Sequence, residues 1–374
     1  MIDPHDMARE FCELVSVDSP SLREAEVIAL IGDRLAEMGI DAHTDDAADA
    51  LGGNAGNLIA RVPGVAGAPT VLLNAHADTV EPGCGICPQV EDTVICSDGT
   101  TVLGADDKAG CTIILATLRH LLDEGLPHPP LEVIFTVAEE IGLCGAQAID
   151  YDALESRMGY VLDGGRTMGV ITHAAPSAYK LEWHVHGVAA HAGVCPERGV
   201  NSVRVAAEAI AEMPLGRLDV ETTANIGVIR GGDATNIVPE LTVVRGETRS
   251  HSEEKLERQR DLMVRAFESA AERHDATVDA EVTSTYRRFD IARDEPVLDY
   301  AWRSCERLGF EPQMERGGGG SDANVFNEHG VPSVILATGP AEVHTVNEWV
   351  DAHRMAESAR WLTETLQLIA EEAR

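Results

Sequence analysis

Lysine is nearly missing from this chain. Of its 29 basic residues only Lys108, Lys180 and Lys255 are lysines, against 63 acidic residues and a formal net charge of −34. Nucleic-acid binding needs a basic footprint that displaces counterions from phosphates, so that class is excluded. Anionic membrane surfaces are disfavoured for the same reason. Long apolar runs are missing too, and none approaches the ~18 residues of a membrane span. The first residues carry Asp3, Asp6 and Glu10 where an export signal would carry basic residues before an apolar core. A cytoplasmic setting is therefore expected, with the eight cysteines as reduced thiols. Cys84-x-x-Cys87 lacks the second pair that a zinc ribbon would need.

What is present is a globular composition, 44% hydrophobic and 25% charged over 374 residues, enough for two domains. Ser21 with Glu24 three residues later reads as a capping box before the helical spacing of Val27, Ile28, Ile31, Leu35 and Met38. Strand-like runs follow at Asn57–Val62 and Thr70–Asn74, then a helix from about Lys108 to Leu122. A buried-strand run comes next at Leu131–Val137. Strand, helix and strand in this order predict an α/β domain with a central sheet. Between about 175 and 288 the pattern becomes β-α-β-β-α-β, the order of a ferredoxin-like α+β unit. The α/β pattern then resumes, with a helix at Pro296–Leu308, a strand at Ser333–Thr338 and a long final helix from Asp351. The expected organisation is one α/β domain, residues 1–174 plus 289–374, carrying an inserted lid at 175–288.

Histidines and carboxylates gather where strands end. His76 and Asp78 follow the Thr70–Asn74 strand, and a two-residue spacing puts both on one face of extended chain. Gly104-Ala-Asp106-Asp-Lys-Ala-Gly110 opens a helix. Glu139-Glu140 follows Leu131–Val137, Asp163 follows Gly159–Leu162, and His344 sits in Glu342-Val-His-Thr345. In open α/β sheets ligands bind outside the carboxyl ends of strands. Each pair alone is weak in so acidic a chain; the joint pattern carries the signal.

In order and context these segments resemble the co-catalytic zinc site of the M20 metallopeptidases, most closely the peptidase T (tripeptide aminopeptidase) branch. Ser97-Asp-Gly-Thr-Thr101 and Gly319-Gly-Ser-Asp-Ala-Asn324 point to that branch, and Ala190-His-Ala-Gly193 resembles its lid motif. The resemblance implies a zinc-peptidase-like α/β domain with a mixed sheet and a lid that also dimerises. It implies that Asp106 bridges two metals, that His76 and Asp163 complete one site, and that Glu140 and His344 complete the other. Imidazoles and carboxylates suit zinc, with cobalt or manganese as substitutes. Two metals sharing a carboxylate stand ~3.5–4 Å apart and hold one hydroxide between them. Asp78 then orients His76, and Glu139, beside a ligand without being one, is the general base. His191 is the lid donor to the developing oxyanion. Asn236, Arg249 and Gly319 are candidate substrate contacts, Arg249 because a guanidinium grips a carboxylate bidentately.

The expected activity is hydrolysis of short peptides by a homodimeric di-zinc aminopeptidase. Two alternatives stay open: an M20 deacylase, dipeptidase or carboxypeptidase acting on N-acyl amino acids or dipeptides, and a catalytically silent M20-like binding protein.

Overall fold

The computed structural model describes residues 2–373. The chain divides into two compact units: one runs to Ala175 and resumes at Phe289, and the other is Pro176–Arg288.

The first unit is built on a mixed nine-stranded sheet. Its centre is four parallel strands in the spatial order Leu131–Thr136, Val71–His76, Met158–Gly164 and Ser333–Ala337. Antiparallel strands flank them: Leu58–Val62 pairs with Leu131–Thr136, and Val170–Ala175 pairs with Ser333–Ala337. Every residue of Val71–His76, Leu131–Thr136 and Ser333–Ala337 is buried. Helices therefore cover both faces, which is why these segments read as largely apolar runs rather than as alternating ones. Each fully buried Leu, Ile, Val or Phe here contributes roughly 1.5–3 kcal/mol relative to exposure.

The Ala105–Asp123 helix packs across this sheet, with the Pro4–Val15 and Ala352–Glu372 helices against it. Trp361 of the last helix is fully buried and donates its indole N–H to Ala301 O at 2.9 Å. The second helix begins at Ala25, and the pattern at Ser21 proves to be something other than its cap. Glu24 turns its carboxylate onto the Leu22 and Ala138 N–H groups, and the Ser21 hydroxyl goes to Asp78. A long-range carboxylate outcompetes the local cap for the serine.

The second unit has strands Ser177–His186, Thr222–Gly231, Leu241–Ser250 and Thr277–Tyr286 with helices Ser202–Glu212 and Glu253–Arg273. The antiparallel sheet places Leu241–Ser250 and Thr277–Tyr286 on either side of Ser177–His186, with Thr222–Gly231 outside Leu241–Ser250. That is the strand order of a ferredoxin-like unit. Leu181, Trp183 and Val185 point to the helices, while Lys180, Glu182, His184 and His186 alternate to the other face. Trp183 stacks on Phe267 with ring centroids 4.4 Å apart. Thr277–Tyr286 is an edge strand and mostly exposed.

Candidate metal and catalytic site

All four parallel strands deliver acids or imidazoles from their carboxyl ends, the position where such sheets bind ligands. His76 is the last residue of its strand, Glu139 and Glu140 follow Leu131–Thr136, Asp163 lies near the end of Met158–Gly164, and the chain leaving Ser333–Ala337 reaches His344. The local backbone is unusual at two of these points. Ala138, just before the glutamate pair, has φ 52°, and His344 itself has φ 62°. Non-glycine residues in this left-handed region cost of order 1–3 kcal/mol each and persist only where surrounding structure enforces them. The Glu24 carboxylate supplies that enforcement at Ala138, accepting its N–H at 3.0 Å.

Asp106 is the centre of the cluster. Its Oδ1 lies 3.1 Å from His76 Nε2, and its Oδ2 lies 3.2 Å from His344 Nε2. One carboxylate thus presents one oxygen to each of two imidazoles. His344 Nε2 is also 3.1 Å from Glu140 Oε1. Two sets of ligand atoms lie within 4.8 Å of one another: His76, Asp106 and Glu140, and His76, Asp107 and Asp163. Asp107 is a member that the sequence did not single out. Its oxygens accept the Gly110 and His76 N–H groups at 3.0 and 3.3 Å.

Asp78 is fully buried and acts as a hub. Its carboxylate lies 3.3 Å from His76 Nδ1 and accepts Ser21 Oγ–H at 2.6 Å, Glu139 N–H at 3.0 Å and Glu140 N–H at 3.2 Å. Burial works to raise its pKa, but His76 and these donors outweigh burial and hold Asp78 below the usual carboxylate range. Glu139 is 8% exposed, and burial above all lifts its carboxyl well above the ordinary value; His76 opposes the rise while Asp163, Asp322 and Glu140 add to it. Burial likewise raises Asp163 and Asp107, each with an aspartate neighbour adding to the effect. Asp106 and Glu140 push His344 up to about 10. At His76 burial opposes protonation, yet Asp106 and Asp78 win and the net shift is upward.

This is an excess of buried acid over base. Lys108, buried close by, gives its amine to Ser19 Oγ and Thr79 Oγ1 at 2.8 and 2.7 Å. Buried like charges are costly unless a cation pairs with them. Oxygen and imidazole donors converging within 4.8 Å therefore fit divalent metal ions of the zinc type.

Asp322 belongs to the same neighbourhood. It is 2% exposed, accepts from Thr136 Oγ1 and Asn74 Nδ2, and is raised to about 6 by burial. It opens a helix, Asp322–Glu328, directly after the glycine run that holds the exposed Gly319.

The remaining candidates lie in the second unit. His191 pairs with Ile237 across a short strand, and Ala192 N–H donates to Asn236 O at 3.0 Å, so His191 and Asn236 are neighbours. Gly193 N–H donates to His191 Nδ1 at 3.1 Å, so on this exposed ring Nδ1 accepts and Nε2 is the nitrogen left to donate. Arg249 is held bidentately by Glu247, its Nε and Nη2 each 3.0 Å from a carboxylate oxygen. No helix among the described residues is long and apolar enough to cross a membrane.

The model of peptidase family M20/M25/M40 matches residues 72–368. The uncharacterized protein YqjE of Bacillus subtilis is 39% identical over 98% of this chain and 99% of its own length. The crystal structure of aminopeptidase PepT from Bacillus cereus superposes with a TM-score of 0.87 at 42% identity, covering 99% of each chain. That of a tripeptidase from Staphylococcus aureus does so with a TM-score of 0.93 at 34% identity, covering 99% of this chain and 100% of that one.

Proposed function

The chain belongs to the peptidase family M20/M25/M40, whose members are metal-dependent peptidases, and from that premise we propose that it is a cytoplasmic di-zinc aminopeptidase acting on short peptides, tripeptides among them. The observation that carries the reading is Asp106, whose two oxygens each face a different imidazole. Asp106 is the shared ligand, His76 and Asp163 complete one site, and Glu140 and His344 complete the other. Bound zinc supplies Lewis-acid polarisation and a lowered pKa for water.

The chain's own groups do the rest. Glu139 takes the proton of the attacking water and returns it to the leaving nitrogen, from a buried position beside the ligand Glu140. Asp78 fixes the ring of His76 and, through the N–H groups of Glu139 and Glu140, the turn that carries base and ligand together. His191 offers its Nε2 proton to the carbonyl oxygen as that oxygen gains charge. Asn236 and Gly319 contact substrate, and Arg249, released from Glu247, takes a substrate carboxylate. The Pro176–Arg288 unit serves as lid and joins two chains through the mostly exposed stretch 277–284 at the edge of its sheet.

A substrate panel tests the activity. Free di- and tripeptides, N-blocked peptides and N-acyl amino acids are incubated with enzyme and zinc, cobalt or manganese. Release of the N-terminal residue from tripeptides, with blocked peptides left intact, is expected. Cleavage of N-acyl amino acids alone would move the protein to the deacylases.

A further inference from the structure

Glu348 is a buried carboxylate that touches neither imidazole of the site. It is 1% exposed, and both of its oxygens are committed to backbone far away in sequence. Its Oε2 accepts Leu103 N–H and Gly104 N–H, each at 2.8 Å, and its Oε1 accepts Asp106 N–H at 3.0 Å. The acceptor and these donors are 242 to 245 residues apart. Glu348 also follows His344 by one turn of chain, with its own N–H donating to Thr345 O at 3.1 Å.

We propose that Glu348 is a positioning residue that sets Asp106 and the loop of His344 as one piece, so that the shared carboxylate faces both imidazoles. The inference rests on the reading of Asp106 as the shared metal ligand.

The backbone entering the Ala105–Asp123 helix is irregular. Gly104 has φ 72°, and a side chain there would also press on Thr79 Cγ2 at 3.2 Å. Asp106 and Asp107 depart from helical dihedrals, at φ −83°, ψ 103° and φ −124°, ψ 38°. A first turn so broken leaves N–H groups that the helix cannot satisfy, in a place that is largely buried. Both oxygens of Glu348 meet three of them. Without that acceptor the Asp106 backbone has no reason to hold its irregular dihedrals, and those dihedrals decide where its two oxygens point.

The chemistry requires a carboxylate. Three N–H groups call for acceptors on both oxygens. A glutamine offers one oxygen and one NH2, so it must set donor against donor at Asp106 or at the Leu103–Gly104 pair. Glu132 supplies a control of the same kind elsewhere. It is equally buried, accepts the Glu155 and Ser156 N–H groups at 3.0 and 2.9 Å, and stands at the far end of its strand from the site.

The test compares wild type, Glu348→Gln and Glu132→Gln as metal-stripped proteins titrated with zinc against a chromophoric chelator, with the melting temperature of each metal-free protein recorded alongside. Both variants should melt lower than wild type. Only Glu348→Gln should lose zinc affinity, by at least tenfold in one of the two equivalents. Its kcat for a tripeptide should fall with KM unchanged, because Glu348 touches no substrate. Should Glu348→Gln not fold, Glu348→Asp, which keeps the charge but withdraws it by one methylene, is read in its place. Zinc affinity within threefold of wild type, or an equal loss in Glu132→Gln, overturns the inference while leaving the two-metal reading intact. Wild type that takes up less than one zinc overturns both.

Discussion

Ser21 donates its hydroxyl to Asp78 at 2.6 Å, across 57 residues of sequence, and so joins the first loop of the chain to the group that orients His76. A hydrogen bond to a charged acceptor contributes about 1.5–3 kcal/mol, and 1.4 kcal/mol is a factor of ten. Ser21→Ala should therefore lower kcat about tenfold while the metal content stays at the wild-type level. Unchanged kcat would mean that the Glu139 and Glu140 N–H groups hold Asp78 without help.

Glu139→Gln separates the base from the ligands. The amide fills nearly the same space and cannot accept the proton, and positioned acid–base groups contribute ~10²–10⁴-fold. The variant should bind metal as wild type does and lose two to four orders of magnitude in kcat. Activity within threefold of wild type would remove Glu139 from that role.

Metal content is read directly by elemental analysis. Protein purified with zinc should carry two equivalents, and chelation should abolish activity and lower the melting temperature, since a ligand that binds only the folded chain stabilises it by mass action. Zinc should restore both. Fewer than one metal per chain would refute the two-metal site.

Asp322 gives a pH signature. Its folded value of about 6 lies above the ordinary 3.8, so the folded chain binds that proton more tightly than the unfolded chain does. The stability contributed is fully present below 3.8 and is lost as pH rises through about 6. Asp322→Asn cannot titrate. In metal-free protein its melting temperature relative to wild type should climb between about pH 4 and 7 and then level off. A difference that stays constant over that window would show that Asp322 is not proton-linked to folding.

In the proposed dimer His191 serves the active site of the neighbouring chain, so each working site takes groups from two chains. Glu139→Gln lacks the base and His191→Ala lacks the oxyanion donor. Mixed and allowed to exchange subunits, the two inactive proteins should recover part of the wild-type rate, because some heterodimers hold one intact composite site. No recovery after demonstrated exchange would place His191 within its own chain's reaction or outside it.

Much of the fold was legible because a parallel sheet buried on both faces leaves largely apolar runs, as in Leu131–Thr136, where only Glu132 and Thr136 are polar. The imidazoles and acids were legible because they stand at or beyond the carboxyl ends of those strands: His76 and Asp163 in the last residues, Glu139, Glu140 and His344 in the chain that follows. Alternation announced the strand of Leu181, Trp183 and Val185 equally well. Ser21 was not legible: capping patterns are local, and nothing in the four residues from Ser21 to Glu24 reveals an acceptor 57 positions away. Glu348 was hidden for the same reason, one acid among 63 whose partners are backbone amides and leave no side-chain pattern. Asp107 was masked by its neighbour, since adjacent aspartates at a helix start look alike until the broken first turn aims them differently.

The clamp made by Glu348 also sets an order in time. Synthesis runs from the N-terminus at ~5–20 residues per second, so the 242 residues between Asp106 and Glu348 take roughly 10–50 s to make. Throughout that interval a growing chain carries His76, Asp106 and the glutamate pair without His344 and without the carboxylate that fixes the Asp106 backbone. A site assembled in this way is complete only after most of the chain's own length has been made.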